Sequence, residues 1–171
     1  MKEIKIAFFD CDGCLFNTPH PEPGKQLWAE FYNKEYPYQG WWGRVESMDM
    51  NVFTIKPRPE VYNYWKTLYD QGFETRVLTS RMPKFEPLIQ TLLIDNNIDM
   101  KEVMTVKGSL TKGQRILETV KDYISQGYSV PEVHFFDDRM KEIVTVQEVV
   151  DDLHLLGTKV FITKVESDAN D

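Results

Sequence analysis

Asp10-Cys11-Asp12-Gly13-Cys14-Leu15 follows directly on the apolar run at residues 4–9. Two carboxylates two residues apart, at the end of what reads as a buried strand, need a chemical reason to sit in an apolar setting. At the carboxyl ends of strands in an open α/β sheet, side chains from several crossovers converge, and ligands bind there. An aspartate at that position can attack a phosphorus centre and a second can move the proton, provided that a divalent cation relieves their mutual repulsion.

Three later signals occupy equivalent positions. Leu78-Thr79-Ser80-Arg81 closes the second apolar run, Thr111-Lys112-Gly113 opens the helix after the third, and Phe136-Asp137-Asp138-Arg139 closes the fourth. Together they supply a hydroxyl for a phosphoryl oxygen, an ammonium for developing negative charge and carboxylates for a hard cation. Each alone is weak, and a solvated turn would also explain Asp137 and Asp138. Their order and their shared position after strands make the combination specific. Lys107, which ends the third run, competes with Lys112 for the ammonium role; the unused lysine is then a solvated surface charge. The Gly108 to Gly113 spacing lacks the Gly-Lys-Ser/Thr ending of a phosphate loop and is set aside.

Cys11 and Cys14 are the only cysteines and have the spacing of a redox pair. The reading preferred here is two small side chains filling a turn that the aspartates specify. A zinc site is disfavoured because His20, His134 and His154 show no paired ligand spacing.

The elements that must position these groups are short apolar or β-branched runs at residues 4–9, 73–78, 103–106, 133–136 and 159–162. Helical-period segments lie between the later runs, so strand and helix alternate as in parallel βαβ crossovers. Helix starts are marked by Pro59, Pro83 and Thr111. Ile143, Val146, Val149, Val150, Leu153 and Leu156 fit the buried face of one helix.

Residues 16–58 break the rhythm with five prolines and a cluster of aromatics, and read as a small lid inserted after the first strand. Within it, Trp41 and Trp42 either stack a substrate ring or pin the lid to the core. Arg44, Arg81 and Arg139 either bind a second phosphate or nucleic-acid backbone, or, for Arg81 and Arg139, orient the acidic residues. Residues 165–171 read as a flexible acidic tail.

A chain of 171 residues, 42% hydrophobic and 27% charged, falls in the range of one soluble domain, here residues 1–164. The net charge of −7 argues against a broad nucleic-acid-coating surface but leaves room for a local basic pocket. No apolar run approaches the roughly 20 residues of a membrane helix, and Lys2, Glu3 and Lys5 precede no signal-like segment. A cytoplasmic protein with no membrane partner is expected.

Asp-x-Asp-Gly-x-Leu, then a strand-end Thr, then Lys, then Asp-Asp resembles the haloacid-dehalogenase (HAD) superfamily of aspartate-nucleophile phosphatases, over residues 4 to about 163. Phe16-Asn17-Thr18-Pro19, Leu27-Trp28, Gly40-Trp41-Trp42-Gly43 and the two strand-end motifs look like the phosphatase domain of Swiss Army Knife RNA-repair proteins. The resemblance implies an α/β three-layer sandwich with a parallel sheet in the order 3-2-1-4-5. It also implies a Mg²⁺-dependent phosphomonoesterase with a covalent aspartyl-phosphate. Asp10 would be the nucleophile, and Asp12 would protonate the leaving oxygen and then activate water. Asp10, the Asp12 main-chain carbonyl and Asp137 would hold the metal, with Asp138 as a further ligand or in support of one. Thr79 would hydrogen-bond the phosphoryl group, and resemblance favours Lys112 over Lys107. Ser80, Arg81, Trp41, Trp42, Arg44 and Arg139 are the candidates for substrate binding. The expected substrate is a nucleotide or nucleic-acid end; the alternatives are a small phosphorylated metabolite or, in another class, a non-catalytic phospho-ligand or nucleic-acid binding module.

Overall fold

The computed structural model describes residues 2–166. In chain order its elements are β1 (Lys2–Glu3), β2 (Ile6–Phe9), α1 (Pro21–Tyr32), α2 (Pro59–Asp70), β3 (Glu74–Leu78), α3 (Glu86–Asp95), β4 (Glu102–Met104), α4 (Lys112–Ser125), β5 (Tyr128–Ser129), β6 (Glu132–Asp137), α5 (Met140–Gln147), α6 (Val150–Leu155) and β7 (Lys159–Lys164). Short 3-10 turns lie at Val45–Met48 and Pro83–Phe85.

Every residue of β2 is buried, because the strand is central and both its faces are covered. Ala7 and Phe9 point into a core shared with Trp28 of α1, Val61 and Trp65 of α2, and Ile89 and Leu92 of α3. Ile6 and Phe8 point the other way, onto Ile116 and Val120 of α4, Ile143 and Val146 of α5, and Leu153 of α6. A strand buried on both faces loses the apolar–polar alternation of a half-exposed one, which is why residues 6–9 are apolar without interruption. The five-stranded sheet is wholly parallel, in the order β4-β3-β2-β6-β7. Counted within that sheet, this is the expected order 3-2-1-4-5 between two helical layers. β1 and β5 form a separate two-residue parallel ladder.

Register then aligns the strand ends. Phe9 lies beside Val77 on one side and Phe136 on the other, so the next residues, Asp10, Leu78 and Asp137, emerge at the same edge. The Asp10 N–H continues the ladder by donating to the Phe136 carbonyl at 3.0 Å.

The segment at residues 16–58, inserted between β2 and α2, contains α1, started by Pro21 at its first turn. Its two ends are tied together: the Asn17 N–H donates to the Lys56 carbonyl, and the Lys56 N–H donates to Asn17 Oδ1. Residues 143–156 depart from the expected single helix by breaking into α5 and α6 at Glu148 and Val149. The apolar face survives the break, since Ile143, Val146, Val149 and Leu153 are all buried. Val165 and Glu166 do not belong to the expected flexible tail. Val165 is fully buried, and its N–H donates to the Asp137 carbonyl at 2.9 Å. Glu166 accepts through its carbonyl from Arg58 Nη2, and residues 167–171 lie outside the described residues. No helix among the described residues is long and apolar enough to cross a membrane.

Candidate active site

The motif after β2 folds into a tight turn in which the Leu15 N–H returns to the Asp10 carbonyl and the Phe16 N–H to the Cys11 carbonyl. Gly13 makes this turn with φ of 68°, and a Cβ there would lie 2.8 Å from Asp138 Oδ2. Only glycine lets the two acidic motifs meet so closely. Cys11 and Cys14 are buried in the same turn as free thiols, and Cys14 Sγ donates to the Phe136 carbonyl. Burial pushes both thiols well above their usual range, reinforced by Asp12 at Cys11 and by Asp10 at Cys14. They fill space, as expected, and do not form a disulfide.

Lys112 is the hub of the site. Thr111 caps α4 through its hydroxyl, Gln114 completes the capping box, and Lys112 therefore stands in the first turn. Gly113 beside it packs against α5 so closely that a Cβ would fall 1.9 Å from the Thr145 carbonyl oxygen. That contact brings the start of α4 over the strand ends. Lys112 Nζ donates to Asp10 Oδ1 and to Asp137 Oδ2, both at 2.7 Å, with only 2% of its side chain exposed. Burial opposes the ammonium charge, but the Asp10 and Asp137 carboxylates outweigh it and hold Lys112 above its ordinary range. Lys107 instead pairs with Glu118 on the surface. It lies along a larger groove of about 750 Å³ beside β4, whose lining includes none of Asp10, Asp137 and Asp138.

Asp10, Asp137 and Asp138 present ligand atoms within 4.8 Å of one another, and all three are buried. Burial raises Asp10 well above the usual carboxylate range, opposed by Lys112 and reinforced by Asp137. Asp138 is raised by burial too, with Asp10 opposing and Asp137 reinforcing. Three carboxylates facing one lysine leave an excess of buried negative charge. Asp137 is held further by the Arg139 N–H, which donates to its Oδ1 at 2.9 Å.

Asp12 stands apart from that cluster. Its Oδ1 accepts from Thr18 Oγ1 at 2.7 Å and from Arg81 Nη2 at 2.8 Å, and its Oδ2 accepts from Arg81 Nε at 2.9 Å. The carboxylate is thus committed to Arg81 and Thr18, which leaves only the main-chain carbonyl for the metal role expected of Asp12. Thr79 is fully buried, with its hydroxyl accepting from the Arg81 N–H and its carbonyl accepting from Arg115 Nη2. A cavity of about 200 Å³ opens over the site, lined by Asp10, Asp12, Trp42, Gly43, Ser80, Arg81, Met82, Lys112, Arg139 and Glu142. Ser80, Arg81, Trp42 and Arg139 therefore converge on the acids, while Thr79 lies off the cavity wall.

Trp41 and Arg44 do not join them. Trp41 is 4% exposed, packs on Gly24 of α1 and on Phe53, and donates from Nε1 to the Pro19 carbonyl at 2.8 Å. It pins the insert together, because an indole with its N–H satisfied inside the core has no face left for a ligand. Arg44 pairs with Glu46 and lies over the Tyr38 ring, away from the cavity wall. Besides Gly43, Met82 and Glu142 on the cavity wall, three residues that support the site were absent from the expected set. Thr18 and Ser47 reach the Asp12–Arg81 pair, and Arg58 Nη1 donates to the Gly13 carbonyl. Thr18 lies in a motif already noted, whereas nothing in the sequence marks Ser47.

No protein-family model matches the chain, and no curated protein is significantly similar to it in sequence. Solved structures are similar in fold. A HAD-family enzyme of Bacteroides thetaiotaomicron, in complex with magnesium and inorganic phosphate, aligns over 98% of each chain at 14% identity and a TM-score of 0.52. A HAD-superfamily hydrolase of Ehrlichia chaffeensis aligns over 96% of this chain and 93% of its own at 10% identity and a TM-score of 0.54. A "predicted phosphoglycolate phosphatase" of Haemophilus somnus aligns over 97% and 89% at 14% identity and a TM-score of 0.55. The parallel sheet, its strand order and these likenesses together show that the chain has the haloacid-dehalogenase fold. Nothing in these likenesses links the chain to RNA repair.

Proposed function

We propose that this protein is a Mg²⁺-dependent phosphomonoesterase that works through a covalent aspartyl-phosphate on Asp10, with a nucleotide or the terminal phosphate of a nucleic acid as substrate. The observation that carries this reading is the buried cluster in which Lys112 bridges Asp10 and Asp137 at the end of the parallel sheet.

The donor set suits a hard divalent cation. Three carboxylates converge, and Asp138 Oδ1 is buried with no hydrogen-bond partner among the described residues. Asp10, Asp137 and Asp138 would hold the ion, with the Asp12 carbonyl in the place that the resemblance implies. When bound, Mg²⁺ supplies charge neutralisation between the carboxylates and an anionic substrate. Lys112 holds Asp10 in place and balances charge that develops on the phosphoryl oxygens. Asp10 attacks phosphorus as the bond to the leaving oxygen breaks, and Asp12 protonates that oxygen. Asp12 then takes a proton from water, whose oxygen bonds to phosphorus as the aspartyl bond breaks, releasing inorganic phosphate.

The cavity volume, about 200 Å³, is below the roughly 300–1,000 Å³ of sites that enclose a whole drug-sized ligand. A phosphoryl group fits, and the rest of a large substrate lies at the mouth beside Trp42, Met82 and Arg139. An indole there offers a face to a nucleobase, which together with the RNA-repair resemblance supports the nucleic-acid reading. The same small volume favours a second reading, a small-metabolite phosphatase. A pure binding module is disfavoured, since buried carboxylates repel a phosphate that they do not process.

A panel of nucleotides, sugar phosphates and 3′- or 5′-phosphorylated oligonucleotides, assayed with Mg²⁺ and with chelator, tests this. Metal-dependent phosphate release is expected, strongest on nucleotides or oligonucleotides and abolished in Asp10→Asn with its circular dichroism preserved. Near-normal turnover by Asp10→Asn, or inactivity of the native protein on every phosphomonoester, refutes it.

A further inference from the structure

Arg115 is a buried cation to which the mechanism above gives no part. It lies on α4 one turn after Lys112, on the same side of the helix, and only 4% of it is exposed. No carboxylate pairs with it among the described residues. Its donors go instead to three main-chain carbonyls: Nη1 to Met104 at 3.2 Å and to Thr105 at 2.8 Å, and Nη2 to Thr79 at 3.1 Å. Its Nε is buried with no hydrogen-bond partner among the described residues. Burial lowers Arg115 from its ordinary range, opposed by Glu142. Burying a guanidinium without a carboxylate costs free energy, so packing alone does not account for an arginine here.

The three carbonyls belong to the ends of two neighbouring strands. β4 is an edge strand of three residues that pairs with β3. Past the strand ends, two main-chain bonds join the segments: the Thr79 N–H donates to the Met104 carbonyl at 3.0 Å, and the Val106 N–H to the Arg81 carbonyl at 2.9 Å. Arg115 adds a brace from α4 that ties Thr79 to Thr105. The braced segment turns on itself, since the Arg81 N–H donates to Thr79 Oγ1 at 3.1 Å, and it carries Ser80, an exposed residue on the wall of the cavity over Asp10. A planar fork reaches carbonyls on both strands at once, which the single nitrogen of a lysine cannot do in the same way. One side of α4 thus serves both parts of the site, with Lys112 on the acids and Arg115 on the segment that carries Ser80.

We propose that Arg115 is a positioning residue that fixes the Thr79–Arg81 segment against the end of β4 and so sets Ser80 to donate to a phosphoryl oxygen. This rests on the phosphomonoesterase reading above. It concerns the phosphoryl side of the site alone, because the hydrogen bonds of Arg115 go to none of Asp10, Asp137 and Asp138. Its replacement should therefore weaken phosphate binding and leave cation binding unchanged.

The test uses the native protein, Arg115→Lys, Ser80→Ala and the double variant. Two quantities are measured in each: the inhibition constant of inorganic phosphate with Mg²⁺ present, and the Mg²⁺ concentration that half-maximally raises the melting temperature. Arg115→Lys keeps the charge and loses the fork. Its phosphate constant is expected to rise about 10-fold, the scale of one hydrogen bond to a charged group, with the half-maximal Mg²⁺ concentration unchanged. In the Ser80→Ala background the same substitution should cost less than about twofold, since residues that act through one another are not additive. An unchanged phosphate constant, a parallel loss of phosphate and Mg²⁺ affinity, or a loss undiminished in the Ser80→Ala background overturns the positioning role while leaving the phosphatase reading standing. Should Arg115→Lys misfold, amide hydrogen exchange of the native protein decides the matter. Phosphate with Mg²⁺ should slow exchange at Met104 and Val106, which lie off the cavity wall, and Mg²⁺ alone should not; no slowing there overturns the proposal. A native protein that neither hydrolyses a phosphomonoester nor binds phosphate overturns the phosphatase reading itself, and the proposal with it.

Discussion

Replacing Lys112 by Met removes the one cation between Asp10 and Asp137 and leaves a side chain of similar length in its place. Neither carboxylate can turn to solvent, since Asp137 is fully buried and Asp10 nearly so. Breaking a buried ion pair by deleting one partner costs about 3–5 kcal/mol. A domain of this size shifts its melting temperature by about 2–4 °C per kcal/mol, so a fall of roughly 6–20 °C is expected at neutral pH in chelator. The loss should depend on pH in a defined direction. Burial already raises Asp10, and Lys112 is the influence that opposes it most; without Lys112, burial, Asp137 and Asp12 all act to raise it. A carboxyl raised in the folded state binds more protons than the unfolded chain does above about pH 4, so folded stability falls as pH rises through that interval. The gap between native and Lys112→Met proteins should therefore be small near pH 4, where Asp10 is buried with its proton, and should widen toward neutrality. Melting curves of both proteins from pH 4 to 8 in chelator measure it. A gap that is constant with pH would show that Lys112 contributes by packing alone, and no gap at all would refute the assignment of Lys112 as the central counter-ion.

Mg²⁺ should raise the melting temperature of the native protein; at a hundredfold excess over its dissociation constant the gain is about 2.7 kcal/mol, and Asp138→Asn should reduce it in the same melting assay. Trp41→Ala should destabilise the fold by about 3–5 kcal/mol through the cavity it leaves. Trp42→Ala should instead raise KM for the best nucleotide or oligonucleotide more than for a small phosphate ester, and steady-state kinetics with melting curves separate the two. Cys11 and Cys14, buried and with their thiols held protonated, should react with a thiol reagent only after denaturation, and Cys11→Ser with Cys14→Ser should retain phosphatase activity under reducing conditions. Rapid titration of either thiol in the folded protein would reopen the redox reading.

Sequence and tertiary structure determined different parts of this account. The order of strands and helices, the parallel sheet and the placement of Asp10, Asp137 and Lys112 at strand ends and a helix start are legible in the sequence. Apolar runs, proline and threonine helix starts and short polar motifs are local signals, and a parallel sheet turns their order along the chain into proximity at one edge. The choice between Lys112 and Lys107 required the structure, because it turns on Gly113 packing against α5, 32 residues away, where Thr145 Oγ1 accepts from its N–H. The neighbouring tryptophans divide for a similar reason. Trp41 finds Gly24 and Pro19, while Trp42 finds Arg81, and no property of the dipeptide distinguishes the two. The partnership of Arg81 with Asp12 spans 69 residues and that with Ser47 spans 34. Such pairings leave no periodicity or spacing in the chain, since side chains meet there only after independent elements have packed. The sequence by itself determined which chemical groups gather at the sheet edge; folding decided how each is held, because hydrogen-bond direction and burial are set by packing between elements distant in the chain.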